Sequence, residues 1–144
     1  MEFTVACRED FPQILELYKQ LNPTNDNFPA DKINKVLDKI QNSDIRYFIA
    51  KDGSTITGCL YIAIIPNLTF NGRSIGYIEN VITHEQYRRK GIGEKLMEMA
   101  VEYAKSSGCY KAVLQSGIKR KEAHLFYQAL GFSGDTKKAY ELRF

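Results

Sequence analysis

Apolar residues along the chain recur at two different spacings, and the changes from one to the other divide it into short elements. Phe3, Val5 and Cys7 alternate with polar neighbours, which is the two-residue period of a strand with one face on a core. Asp10 followed three residues later by Gln13 predicts a capping box opening a helix, because Ile14, Leu17, Tyr18 and Leu21 then recur at helical spacing. Ile33, Val36, Leu37 and Ile40 fall on one face of a second helix, and the polar stretch 22–30 between the two reads as a loop.

The middle of the chain reads as strands. Residues 45–50 and 55–65 are joined by Asp52-Gly53, a dipeptide suited to a tight hairpin, and Asn71-Gly72 turns the chain into a further strand over 74–83. Pro66 has no N–H to give a ladder, so the third strand ends or bulges there. Beyond residue 83 the period changes again. Ile92, Leu96, Met99, Ala100 and Tyr103 predict a helix closed by Gly108, and a strand follows over 110–115. A last helix carries Ala123, Phe126, Tyr127 and Leu130 on one face, ends at Gly131, and places Phe132 where a Schellman cap takes an apolar contact. The tail 138–144 alternates as a final strand. The order β-α-α-β-β-β-α-β-α-β predicts an α/β (α+β) fold with a mixed, mostly antiparallel central sheet flanked by about four helices.

Composition narrows the class. At 144 residues and 44% apolar the chain is sized for a single domain over 1–144, and no repeat or linker breaks it. The longest apolar run, 59–65, is too short to cross a bilayer, and the N-terminus lacks the basic-then-apolar pattern of a signal peptide. The expectation is a soluble, cytoplasmic protein with no membrane partner. Three well-separated cysteines suggest neither a disulfide framework nor a zinc site, but reduced and mostly buried thiols. A net charge of +3 is too mild for a nucleic-acid surface, although basic residues cluster at 88–90 and 119–121.

The first of these clusters lies in the stretch with the most chemical content. A strand over 77–83 enters a loop rich in Arg, Lys and Gly, and the loop opens a helix whose first N–H groups have no partner within the helix. Gly91 and Gly93 let the backbone approach a phosphate, the helix dipole favours an anion by roughly 0.3–1 kcal/mol, and Arg88, Arg89 and Lys90 supply counter-charge. A Walker A loop would need Ser or Thr after Gly-Lys, and a dinucleotide fingerprint would need Gly where Leu96 stands.

Arg88-Arg89-Lys90-Gly91-Ile92-Gly93 resembles the Arg/Gln-x-x-Gly-x-Gly loop of the GNAT superfamily of acetyl-CoA-dependent N-acetyltransferases. Glu79-Asn80-Val81 resembles that family's fourth strand, and Ser116-Gly117, Arg120, Ala123-His124, Phe126-Tyr127 and Leu130-Gly131-Phe132 resemble its last helix. The resemblance implies a GNAT-like fold and acetyl transfer from acetyl-CoA to an amine by direct attack, with no metal. It implies that the loop from Arg88 through Gly91, Ile92, Gly93 and Glu94 holds the pyrophosphate, with Arg120 as a further cofactor contact. Val81, Ile82 and Thr83 would pair with the pantetheine arm, the Val81 N–H polarising the thioester carbonyl. Tyr127 matches the general acid, against the plainer reading of a core tyrosine. Glu79 is the candidate base, against that of an edge-strand carboxylate. Gln115 stands where the ribosomal-protein N-terminal acetylating branch carries a glutamate, which weighs against that branch. The expected partners are acetyl-CoA and an amine, such as an aminoglycoside-like or polyamine-like compound, a peptide N-terminus or a lysine, and a homodimer stays open. In this family the first two helices and the loops at 22–30 and 66–70 shape the acceptor site, with Asp26 and Asp31 as candidate contacts for a cation, against the plainer and favoured reading of a solvated loop. The rival reading is a non-catalytic acyl-CoA-binding sensor, which has no need of Tyr127 or Glu79.

Overall fold

In a computed structural model, residues 1–23 and 28–144 are described. Residues 24–27 of the loop expected at 22–30, Asp26 included, therefore lie outside the described residues. They form two compact units, Met1–Val113 and Leu114–Phe144.

The first unit is built on a sheet in the order β1-β2-β3-β4-β5, from β1 (Glu2–Val5), β2 (Ile45–Asp52), β3 (Thr55–Ile65), β4 (Ile75–Thr83) and β5 (Lys111–Leu114). The pairings β1–β2, β2–β3 and β3–β4 are antiparallel. Asp52 pairs with Thr55, so the hairpin turns at Gly53 and Ser54, and β3 stops at Ile65 where Pro66 removes the next donor.

Each face of the sheet is covered by helix. On one face Ile14, Leu17 and Tyr18 of α1 (Phe11–Tyr18) form a buried cluster with Ile49, Ile56, Cys59 and Ile82. On the other, α3 (Ile92–Ser106) buries Ile92, Leu96, Met97, Ala100 and Ala104, and Phe48 meets Tyr103 edge-on at 5.9 Å. The helix is rotated slightly from the expected register, with Met97 and Ala104 fully inside and Met99 and Tyr103 at the margin. The helix α2 (Ala30–Gln41) packs against β2, and Leu37 is its one buried residue.

Two expectations need correction. Asp10 does not cap α1 with Gln13. Its carboxylate accepts from the Cys7 backbone N–H at 2.9 Å, closing a single 3-10 turn over Arg8–Asp10, and forms an ion pair with Lys51 at 2.7 Å. Gln13 reaches the hairpin, donating to the Ser54 carbonyl at 3.0 Å and accepting from the Ile56 N–H at 3.1 Å, so it ties α1 to the sheet. The second correction concerns the tail. Residues 138–144 form no strand, and Tyr140, Leu142 and Phe144 are exposed. Alternation makes a strand only where a neighbouring strand takes up the N–H and C=O groups.

The second unit contains α4 (Lys121–Ala129). The Phe132 N–H donates to the Tyr127 carbonyl at 3.0 Å and the Gly131 N–H to that of Gln128 at 3.0 Å, with Tyr127 and Phe132 rings 6.3 Å apart. This is the Schellman cap the sequence predicts. Among the described residues no helix is long and apolar enough to cross a membrane.

Candidate active site

The β3–β4 ladder skips a step. Tyr61 pairs with Glu79 and Cys59 with Ile82, so Asn80 and Val81 stand together opposite Leu60. Asn80 has φ +54, the left-handed conformation that asparagine tolerates better than other side chains. A bulge of this kind leaves its extra residue off the ladder and bends the strand. Glu79 and Val81, the expected base and the expected carbonyl polariser, therefore flank a bulge.

A row of three residues crosses the sheet on the α1 face at this level. Tyr47 pairs with Tyr61 and Tyr61 with Glu79, and the Tyr47 and Tyr61 rings are 5.1 Å apart. Burial and then the neighbouring Glu79 charge push the Tyr61 hydroxyl above the ordinary tyrosine range. Behind the row, the Tyr18 hydroxyl lies 3.7 Å from Cys59 Sγ, and Tyr18, Tyr47 and Asn80 line one space. Burial raises both tyrosines well above their usual value and pushes the Cys59 thiol up to about 12, so all three are neutral at physiological pH.

Beyond the bulge, Val81 and Thr83 are half-buried and Ile82 is buried. His84 shapes the exit of the strand. Its backbone N–H donates to the Thr57 carbonyl at 2.8 Å, and its Nδ1 accepts from the Gln86 N–H at 3.3 Å, starting a 3-10 turn over Glu85–Tyr87. The Arg88 Nε donates back to the Thr83 carbonyl at 3.3 Å, and Lys90 lies over the Tyr87 ring at 4.7 Å. Arg89 has φ +61 and Gly91, the residue capping α3, has φ +76.

No side chain caps α3, and its first internal bond runs from the Lys95 N–H to the Gly91 carbonyl at 3.0 Å. The N–H groups of Ile92, Gly93 and Glu94 thus belong to a first turn without helical acceptors. Arg88, Arg89 and Lys90 are exposed beside them, and no ion pair among the described residues uses them. Such an end has the donors and charge to hold an anion.

Glu79 and the residues from Val81 to Glu94 all fall in the first unit. Arg120 and Tyr127 fall in the second. There Arg120 precedes α4 and is exposed, while Tyr127 is buried with its ring 5.2 Å from that of Phe126. Asp31 lies exposed in the first turn of α2.

The sequence reading missed Asn80, Tyr18, Tyr47 and Cys59 as parts of a site. A faint signal for Asn80 existed: asparagine is depleted inside strands and tolerates a left-handed backbone better than most residues. The tyrosines looked like ordinary apolar positions of a helix and a strand.

Comparison with known proteins gives the family and the fold. The model of the Acetyltransferase (GNAT) family matches residues 11–132. A glucosamine 6-phosphate N-acetyltransferase of Trypanosoma brucei brucei is 36% identical over 87 residues, 60% of this chain and 57% of the relative. The chain thus spans little more than half the length of that relative. Among solved structures, a chain from Agrobacterium tumefaciens str. C58 superposes with a TM-score of 0.93 at 30% identity, all of both chains being covered. A Trypanosoma brucei acetyltransferase gives 0.88 at 27% identity, with 99% of each chain covered. Sheet, bulge and loop define a mixed α/β acyltransferase fold. The chain belongs to the Acetyltransferase (GNAT) family.

Proposed function

We propose that the protein is an N-acetyltransferase that moves the acetyl group of acetyl-CoA to an amine of a small molecule or peptide, with residues 1–144 acting as one cytoplasmic catalytic domain. The observation that carries this reading is the bulge at Asn80–Val81 on the same strand that runs into an uncapped helix start at Gly91. The family match, which runs through both units, supports treating the chain as one domain.

In this reading the amides from Arg89 to Glu94 and the side chains of Arg88, Arg89 and Lys90 hold the pyrophosphate, and Arg120 adds a contact. Val81, Ile82 and Thr83 pair with the pantetheine arm. The amine nitrogen attacks the thioester carbon, the C–N bond forms, and the C–S bond breaks to release the thiolate. Glu79 takes a proton from the incoming ammonium, directly or through water, and Tyr127 gives one to the departing sulfur. The Val81 N–H stabilises the developing oxyanion, a contribution of roughly 2.7–4 kcal/mol for one such donor.

The test is release of CoA from acetyl-CoA across a panel of amines, alongside melting temperature. A ligand at a hundred times its dissociation constant stabilises the folded state by about 2.7 kcal/mol, so CoA and acetyl-CoA should both raise the melting point. A folded protein whose melting is unmoved by millimolar acetyl-CoA would rule the assignment out. Binding without turnover on any amine would favour the sensor.

A further inference from the structure

A cavity of about 200 Å³ opens beside the bulge, between α1, α2 and the sheet. Its walls include Ile14 and Tyr18 of α1, Ile33 and Val36 of α2, Tyr47 of β2 and Asn80 of the bulge. The apolar stripe of α2, which a simple amphipathic helix would bury in a core, faces this space, and Val36 remains 40% exposed.

The lining contains no Lys, Arg, Asp, Glu or His among the described residues. Its polar side chains are only two tyrosines and one asparagine, and the Tyr18 hydroxyl already lies 3.7 Å from Cys59 Sγ. A phosphoryl group carries about −1.5 to −2 at neutral pH, and none of the described lining residues offers it a counter-charge. The many hydroxyls of a sugar would likewise be desolvated with few partners. An apolar body suits the lining, and the volume fits one: a dry cavity of about 150 Å³ takes up benzene.

Asn80 lies between the two residues proposed to act on the amine and on the carbonyl. A body seated against Asn80 therefore places an attached amine at Glu79 and Val81. Building on the proposed acetyl transfer, we infer that the acceptor is a primary amine borne on one aromatic ring or an aliphatic group of similar size, not on a phosphorylated sugar. The 2-phenylethylamine skeleton and a peptide whose first residue is phenylalanine or leucine share this chemistry.

The experiment is CoA release with saturating acetyl-CoA and four acceptors: 2-phenylethylamine, a tripeptide beginning with phenylalanine, spermidine and glucosamine 6-phosphate. One or both of the first two should exceed the last two in kcat/KM by at least about tenfold, and their ratio separates free amine from peptide. Val36→Trp, at a half-exposed wall that tolerates a larger side chain, should raise KM for the aromatic acceptor by about tenfold and leave KM for acetyl-CoA within about twofold. Preference for spermidine or glucosamine 6-phosphate would overturn the inference while leaving acetyl transfer intact, and so would acetyl-CoA binding with turnover on none of the four. No effect of Val36→Trp on the acceptor's KM would also overturn it. Loss of the proposed function itself looks different, because acetyl-CoA would then fail to shift the melting temperature.

Discussion

Gly58 of β3 lies against Ile92, the first residue of α3: a Cβ on Gly58 would meet Ile92 Cγ2 at 2.8 Å and Leu96 Cδ1 at 3.0 Å. The helix start that presents the amides proposed to hold phosphate is seated on the sheet at a point where only glycine fits. Gly58→Val should cost about 1–3 kcal/mol through overpacking. It should also weaken CoA binding, because the first turn of α3 has to move. Thermal melts and titration calorimetry with CoA measure the two effects, and an unchanged dissociation constant in a destabilised variant would break the link between them.

Gly91→Glu tests the loop itself. A Cβ at Gly91 meets no atom within 4 Å, so the side chain has room, while φ +76 adds strain of roughly 1–2 kcal/mol for a residue other than glycine. The added carboxylate would stand where phosphate is proposed to bind. The expected outcome is a folded protein, by circular dichroism, whose melting temperature no longer responds to CoA. Normal CoA binding would place the phosphate site elsewhere.

Tyr127→Phe separates general acid from packing. The ring contacts with Phe126 and Phe132 survive the change, and only the hydroxyl is lost. General acid catalysis contributes on the order of 10²–10⁴ in rate, so kcat should fall tenfold or more with the cofactor dissociation constant nearly unchanged. A hydroxyl with only a structural role would cost about 0.5–1.5 kcal/mol of stability and leave kcat within about twofold.

Asp10 gives a pH prediction. Burial alone would raise its pKa, but Lys51 and the Cys7 N–H outweigh burial and hold the carboxyl below the usual aspartate range. A depressed carboxylate contributes stability that is fully present above the unfolded-state value of about 3.9 and is lost as pH falls through the lower folded value. Asp10→Asn should therefore melt lower at pH 7, by the equivalent of about 1.5–3 kcal/mol for a hydrogen-bonded charge. The gap between the two melting temperatures should narrow below about pH 4. A gap that stays constant down to pH 3 would show that the pair contributes nothing through ionisation.

Secondary structure and the uncapped, basic loop-to-helix junction were legible because each announces itself locally. Asp52-Gly53 and Pro66 mark chain reversals without help from distant residues, and Arg88 to Gly93 is a contiguous loop-to-helix signal. What could not be read depends on partners far along the chain. Tyr18 and Tyr47 become members of one polar cluster only when α1 is laid on β2, and the apolar face of α2 looks the same in sequence whether it fills a core or walls a cavity. Tyr140, Leu142 and Phe144 show the converse failure, since their alternation is genuine and yet no neighbouring backbone pairs with it.

Asn80 is the one residue of β4 for which the sheet has no place. With it removed, Val81 would face Leu60, and Ile82 would still face Cys59 just as Glu79 faces Tyr61, in an unbroken ladder with every downstream side chain on its present side. The ladder itself would lose no pairing and would be relieved of a left-handed asparagine. A ladder built for regularity alone would drop this position, and the chemistry proposed for Glu79 and Val81 is what would ask the scaffold to keep it.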